Sequence, residues 1–206
     1  MTLQIVRHPL VEETLGRLRD KRTPPAEFRR LAKRISLLLI AEATRSLAVS
    51  EASVETPLEV APAARLAVPV VAVPILRAGL GMLDAFLDLV PDARVGYLGL
   101  ERNEETAVAR RYYGKVPAEL AGAAVFLLDP MLATGGSALM AAEGLRGRGA
   151  LSVCMVSIVA APEGVAHLEA NAPEVTVYAA ALDRRLNDRK YIVPGLGDFG
   201  DRLYGT

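Results

Sequence analysis

The first part of the chain has the apolar periodicity of helices. Between residues 11 and 49, apolar side chains recur three or four positions apart, as at Leu31, Ile35 and Leu39,. The prolines of Thr23-Pro24-Pro25 interrupt this pattern and mark a helix boundary,. We therefore predict two helices in this region.

From Val68 onward the pattern changes to short, continuous apolar runs, which are typical of strands buried on both faces of a parallel sheet,. The predicted strands are residues 68–75, 94–101, 123–130, 151–160 and 175–182. The predicted helices between them are residues 79–90, 137–149 and 163–173. This alternation predicts an α/β fold with a mostly parallel, twisted sheet flanked by helices and connected by right-handed crossovers.

Two segments do not fit the alternation. Residues 102–115, RNEETAVARRYYGK, mix charges with a few apolar positions, which favours a mobile loop or a hairpin projecting from the sheet,. The last residues, 188–206, are rich in glycine and cannot be regular throughout,. Both segments are therefore candidates for function.

Composition narrows the class of protein. With 206 residues, of which 51% are hydrophobic, we expect a single domain, residues 1–206,. The 24 basic residues balance the 24 acidic ones, so the overall charge does not indicate a nucleic-acid partner,. Cys154 lies in an apolar run, which favours a buried thiol,. We expect a cytoplasmic protein with no membrane partner, since no signal peptide or membrane span is recognisable.

The stretch Phe126 to Met140, FLLDPMLATGGSALM, combines a buried strand with a polar, glycine-containing turn before a helix. Gly135-Gly136 and the start of the helix can expose main-chain amides to an anion, and a phosphate fits such a site. Asp129 would repel a phosphate, so we expect it to accept hydrogen bonds from sugar hydroxyls. The alternative is an ordinary strand-to-helix turn with Ser137 as the N-cap.

These motifs resemble those of type I phosphoribosyltransferases. The Asp-Pro-Met-Leu-Ala-Thr-Gly-Gly-Ser form of the stretch is similar to the uracil phosphoribosyltransferases, as are VPILRAGLGM, residues 73–82, and YIVPGLGDFGDR, residues 191–202. A weaker match is LGLERNEET, residues 98–106. The resemblance implies a type I phosphoribosyltransferase-like fold, with a small hood formed by the N-terminal helices and the C-terminal tail.

The resemblance also implies which residues bind phosphoribosyl pyrophosphate (PRPP). These are Arg77, Arg102, Asp129, Pro130, Met131, Leu132, Ala133, Thr134, Gly135, Gly136, Ser137 and Asp198. Asp129, Arg77 and Arg102 would act in catalysis by positioning the sugar and stabilising the departing charge. A cis peptide bond before Arg77 is part of the expectation.

The tail would bind the base. By resemblance, uracil is bound through the main chains of Ile192, Gly197, Asp198 and Phe199, and Tyr191 packs nearby. Many family members carry a small residue where this chain has Phe199, which puts that position in question. Asp198 is a candidate general base.

The implied reaction joins uracil N1 to C1 of PRPP and yields UMP and pyrophosphate, a step of pyrimidine salvage. Mg²⁺ is the expected cofactor, bound mainly through PRPP and not by a dedicated set of protein ligands. The family resemblance further implies a homo-oligomer, a dimer or a tetramer.

Two alternatives stay open on the sequence alone. One is a regulatory, RNA-binding relative, although no Lys/Arg cluster supports it. The other is an enzyme of the same fold that acts on a purine or on orotate, which the sequence of the tail disfavours.

Overall fold

A computed structural model describes the main chain of residues 2–102 and 109–206, and the side chains of residues 3–100 and 110–206. The N-terminal region forms helices α1, Pro9–Arg19, and α2, Pro25–Ala43, as predicted. Each has a proline in its first turn, where the missing N–H group costs nothing,. No helix in these ranges is long and apolar enough to cross a membrane.

The centre of the molecule is a mostly parallel sheet, which confirms the predicted fold class. Its strands are β1 (Thr2–Ile5), β4 (Val70–Leu76), β5 (Arg94–Val95), β6 (Tyr97–Arg102), β7 (Ala109–Lys115), β8 (Ala124–Leu128), β9 (Met131–Leu132), β10 (Ser152–Ala160) and β11 (Thr176–Leu182). Along the sheet the order is β1-β11-β10-β8-β4-β6-β7, and β5 and β9 pair with β4 and β10. Every described pairing in it is parallel except β6 with β7.

Helices cover both faces of this sheet. The remaining helices are α3 (Leu80–Leu89), α4 (Gly136–Arg146), α5 (Pro162–Asn171) and α6 (Phe199–Tyr204). Val70 and Ala72 of β4 point into a core shared with α1, α2, α3 and α6, whereas Val71 and Val73 point into a core shared with α4 and α5. Because β4 is buried on both faces, its sequence is a continuous apolar run.

Part of the charged segment after residue 101 forms strand β7 at the edge of the sheet. Strands β6 and β7 pair antiparallel, with Glu101 opposite Arg110 and Arg102 opposite Ala109. The connecting residues, 103–108, lie outside the described part of the chain. The hairpin alternative is thus supported by the strands on either side.

A second hairpin was not predicted. Strands β2, Val49–Glu55, and β3, Val60–Leu66, pair antiparallel as a sheet of their own. Both of its faces are largely exposed, with only Ala52, Ala61 and Ala63 half-buried. Since neither face is buried, the sequence lacks the apolar alternation by which such strands are recognised.

Candidate active site

A cavity of about 310 Å³ lies at the carboxyl ends of β4 and β8. Four separate segments of the chain line it: the end of β4 and the turn after it, Leu100 of β6, the loop from β8 to α4 (residues 129–137, the β8–α4 loop) and residues 190–200 (the C-terminal loop). The predicted site residues that line it are Arg77, Asp129, Met131, Leu132, Ala133, Thr134, Gly135, Ser137, Tyr191, Ile192, Gly197, Asp198 and Phe199. Ligands of parallel α/β sheets bind at such an edge.

Three predicted residues are not among this lining. Pro130 is buried, and its carbonyl oxygen accepts hydrogen bonds from the main-chain N–H groups of Ile158 and Val159. Gly136 is half-buried and opens helix α4. The side chain of Arg102 is outside the described part of the chain, although β6 ends at Arg102, two residues after Leu100, which lines the cavity.

Asp129 is the carboxylate at the end of β8. Its main-chain N–H donates to the carbonyl of Val156, and its own carbonyl accepts from Ser157 Oγ at 2.7 Å, so the turn is anchored to β10. One carboxylate oxygen accepts from the Met131 N–H at 3.3 Å. Burial raises the pKa of the Asp129 carboxyl to about 6,. Asp129 also lines the cavity, so the other lone pairs of its carboxylate can accept hydrogen bonds from hydroxyl groups bound there,.

The β8–α4 loop has the geometry of an anion site. Gly135 has φ +82°, and a Cβ at this position would lie 2.8 Å from the carbonyl oxygen of Gly164, so α5 packs directly beneath the turn. Helix α4 begins at Gly136, and its first N–H groups have no acceptor within the helix,. The N-cap is Gly135, not Ser137, so the interpretation as a serine-capped turn is wrong. Thr134 and Ser137 add hydroxyls to the same wall.

Arg77 lies in the turn between β4 and α3. The Leu76–Arg77 peptide bond is cis, as the resemblance suggested. The Arg77 side chain is 61% exposed and its guanidinium is 3.4 Å from the Asp201 carboxylate. Exposed ion pairs of this kind are weak, so Arg77 remains able to bind an anion in the cavity.

The C-terminal loop forms the opposite wall. Gly197 has φ +77°, which exposes the main chain, and Asp198 caps α6 by accepting the Asp201 N–H at 2.9 Å. The Phe199 ring is buried and packs edge-on against Phe28, with ring centroids 5.1 Å apart. A large side chain is therefore accommodated in the core while its main chain remains at the cavity. Tyr191 is partly exposed at the rim.

Sequence reasoning missed several residues of this site. Lys190 lines the cavity with φ +63°, unusual for a residue other than glycine, and Ala78 and Gly200 also contribute,. Lys190 directly precedes the motif of residues 191–202, and Ala78 and Gly200 lie inside the motifs, so the motifs were the available signal. Asp201, the partner of Arg77, also lies inside the motif of residues 191–202, but nothing in the sequence marks it as a partner of Arg77.

The mostly parallel sheet flanked by helices, with the β8–α4 loop and the C-terminal loop at its carboxyl edge, defines a type I phosphoribosyltransferase fold. A solved structure of a protein from Aquifex aeolicus superposes with a TM-score of 0.95 at 38% identity, covering 100% of this chain and 99% of that one. A hypoxanthine-guanine phosphoribosyltransferase from Bacillus anthracis shares the fold, with a TM-score of 0.52 at 9% identity over 77% of this chain and 80% of that one.

The particular branch follows from the full-length matches. The family model described as uracil phosphoribosyltransferase matches residues 5–206. A uracil phosphoribosyltransferase from Thermus thermophilus is 50% identical over 207 residues, covering 100% of both chains. The chain belongs to the uracil phosphoribosyltransferase family.

Proposed function

We propose that the protein transfers the 5-phosphoribosyl group of PRPP to N1 of uracil in this cavity, giving UMP and pyrophosphate. This is the pyrimidine salvage reaction of its family. The observation that carries this proposal is the convergence of Arg77, the β8–α4 loop and the C-terminal loop on one cavity, although they lie far apart in the sequence. A cavity of about 310 Å³ is within the usual size of small-ligand sites,.

The β8–α4 loop is proposed to hold the ribose 5-phosphate. The amides at the start of α4 and the hydroxyls of Thr134 and Ser137 would donate to the phosphate oxygens, aided by the helix dipole. Asp129, once ionised, would accept hydrogen bonds from the ribose hydroxyls. Sugar and phosphate would thus be fixed at both ends by one loop.

Arg77 and Arg102 are proposed to stabilise the leaving group. In the reaction the bond from C1 to the pyrophosphate oxygen breaks, the bond from uracil N1 to C1 forms, and the N1 proton is lost. Negative charge grows on pyrophosphate while the ribose becomes cation-like, so fixed positive groups beside pyrophosphate lower the barrier. Positioning of the two substrates supplies the rest.

The C-terminal loop is proposed to bind the base. Uracil offers an acceptor, a donor and an acceptor along one edge, which the main-chain groups of Ile192 and of Gly197 to Phe199 could meet. Cytosine would cover some of these groups without pairing them, at a cost of about 1–3 kcal/mol for each. Asp198 is proposed to contact PRPP and is the candidate acceptor of the N1 proton.

Mg²⁺ is the proposed cofactor, in keeping with its general use by phosphoribosyltransferases together with PRPP. Among the described residues, no cluster of three or more His, Cys, Asp or Glu side chains could hold a metal alone. The residues fit a cation brought by the substrate, because Mg²⁺ takes oxygen ligands from one or two carboxylates together with phosphates and water. Asp129 and Asp198 are the carboxylates described at the cavity. Asp129 is the one proposed to contribute, and the cation would neutralise charge on the pyrophosphate.

Three broader expectations are also proposals. We infer a single domain, in which α1, α2 and the tail form the hood, supported by the contacts of Arg19 with Asp183 and Gly195. A homo-oligomer is proposed because the β2–β3 hairpin exposes apolar side chains, including Leu58 at 95%. A cytoplasmic location remains a prediction from the sequence.

The test is pyrophosphate release from purified protein with PRPP and Mg²⁺, comparing uracil, cytosine, orotate, hypoxanthine and adenine. We expect release with uracil alone and its loss in D129N. Turnover of another base would contradict the assignment of the C-terminal loop. Salt-sensitive RNA binding without any turnover would instead support the regulatory alternative.

A further inference from the structure

A partly buried ion pair lies behind the C-terminal loop. Asp183, directly after β11, has a side chain only 4% exposed, and Arg19, the last residue of α1, has one 25% exposed. The guanidinium donates to both carboxylate oxygens, at 2.6 and 2.9 Å. Neither residue belongs to the described lining of the cavity.

Both partners of this pair also bind the main chain of Gly195. Arg19 Nη1 donates to the Gly195 carbonyl oxygen at 2.9 Å, and the Gly195 N–H donates to Asp183 Oδ2 at 2.9 Å. Gly195 has φ +61°, and a Cβ here would lie 2.2 Å from the carbonyl oxygen of Ile192. The ion pair therefore fixes a tight turn whose two ends, Ile192 and Gly197, line the cavity.

A second arginine attaches the same turn to α1. The Arg202 guanidinium donates to the carbonyl oxygens of Leu196, at 2.7 Å, and of Leu18 and Asp20. It also stacks over the Phe28 ring, 4.4 Å from the centroid. Hydrogen bonds of Arg19 and Arg202 thus attach residues 195–197 to the C-terminal end of α1.

A purely stabilising role does not account well for this arrangement. Burying an ion pair contributes little net stability compared with apolar residues of similar size, because both charges lose their hydration. Apolar side chains could not, however, satisfy the N–H and carbonyl groups of Gly195. The ion pair gives that turn a specific geometry, which a site that binds through its main chain requires to within a fraction of an ångström.

We propose that Asp183 and Arg19 are positioning residues for the base, holding the main chain of Ile192 and Gly197 at the spacing that uracil requires. The proposal rests on the proposed function, in which the main chains of Ile192 and Gly197 bind uracil. Among the described residues, the hydrogen bonds and ion pairs of the Arg19 and Asp183 side chains reach each other and Gly195, not the β8–α4 loop or Arg77. Their removal should therefore alter uracil binding selectively and leave PRPP binding largely unchanged.

The experiment measures KM for uracil, KM for PRPP and kcat separately in D183N and R19K, together with thermal unfolding. The Asp183 carboxylate accepts at both oxygens, two hydrogen bonds at Oδ2 and one at Oδ1. Asparagine has one acceptor oxygen, so its NH2 group must face a donor of Arg19 or Gly195, and lysine lacks the second nitrogen with which the guanidinium donates to Oδ1. We expect KM for uracil to rise about tenfold or more, with KM for PRPP changed by less than about threefold.

The matched control is D88N, which makes the same Asp→Asn substitution in the exposed Lys33–Asp88 ion pair. It should change neither KM for uracil nor KM for PRPP. If D183N fails to fold, R19K carries the test, because it keeps the positive charge. Lowered thermal stability with an unchanged KM for uracil would overturn the positioning role alone. A wild-type protein that transfers nothing to uracil would overturn the proposed function itself.

Discussion

The β8–α4 loop and the C-terminal loop line the same cavity but are supported differently. The β8–α4 loop continues directly from a central strand, and its anchors, such as Ser157, lie on the neighbouring strand. The C-terminal loop contains little regular structure and is held by Arg19, 176 residues away from Gly195 along the chain. The comparison teaches that one wall of the site is encoded locally and the other by distant residues.

The largest effect should come from the carboxylate of the β8–α4 loop. In D129N, kcat/KM for PRPP should fall by about 100- to 1000-fold, because a neutral amide cannot replace an anion that accepts two hydroxyl hydrogen bonds. Steady-state kinetics with PRPP varied would measure this. Thermal unfolding serves as the control: since burial raises the pKa of Asp129, the ionised carboxylate costs folding free energy near neutral pH, so D129N should be no less stable than the wild type,.

The next largest effect should follow from filling the turn at Gly135, beneath the proposed phosphate site. In G135A the added Cβ would lie 2.8 Å from the Gly164 carbonyl oxygen, at a φ of +82°. The loop must shift, so KM for PRPP should rise by up to about 100-fold. G144A is the matched control, since its Cβ meets nothing within 4 Å on helix α4. An unchanged KM for PRPP in G135A would remove the β8–α4 loop from the site.

A smaller change is expected from the same substitution in the other wall. Gly197 has φ +77°, but its Cβ would have a contact only with Arg202, at 3.6 Å. The cost is therefore the left-handed backbone alone, about 1–2 kcal/mol, and KM for uracil should rise about tenfold in G197A. If KM for PRPP rose and KM for uracil did not, the assignment of uracil to the C-terminal loop and of PRPP to the β8–α4 loop would be wrong.

The smallest effect, near neutral pH, is the pH dependence. The ordinary pKa of an aspartate carboxyl is 3.8, and burial raises the pKa of Asp129 to about 6. Its ionised form is the one that accepts hydroxyl donors, so kcat/KM for PRPP should fall as the pH drops below about 6, by about tenfold at pH 5. The same group contributes stability below its unfolded pKa, and that contribution is lost as the pH rises through about 6. In D129N the fall in kcat/KM for PRPP below about pH 6 should be absent. This variant therefore distinguishes titration of Asp129 from titration of PRPP itself.

The part of the fold that the sequence predicts is the part buried on both faces. Val70 to Ile75 form an uninterrupted apolar run because both sides of β4 meet helices, and such a run is readily recognised,. The β2–β3 hairpin buries neither face, so its residues carry no corresponding pattern. Helix α2 was recognised from its apolar periodicity, although it ends at Ala43, earlier than the periodic region at residue 49.

The candidate site divides in the same way. The residues of the β8–α4 loop stand together in the sequence, so their shared place in one wall of the cavity could be predicted from one stretch. The pairing of Arg19 with Asp183 spans 164 residues, and no local signal marks either partner. Phe199 is larger than the small residue that the family resemblance implies at this position, and only the tertiary structure reveals that its ring packs on Phe28 while its main chain reaches the cavity.

The most direct measurement of the central claim is the product balance of one reaction. Purified protein, PRPP, Mg²⁺ and isotopically labelled uracil are incubated, and UMP and pyrophosphate are quantified together, with the linkage of the base assigned by NMR. The account predicts one UMP, joined through N1, for each pyrophosphate released. Pyrophosphate released without UMP, or a product joined through another atom, would contradict it.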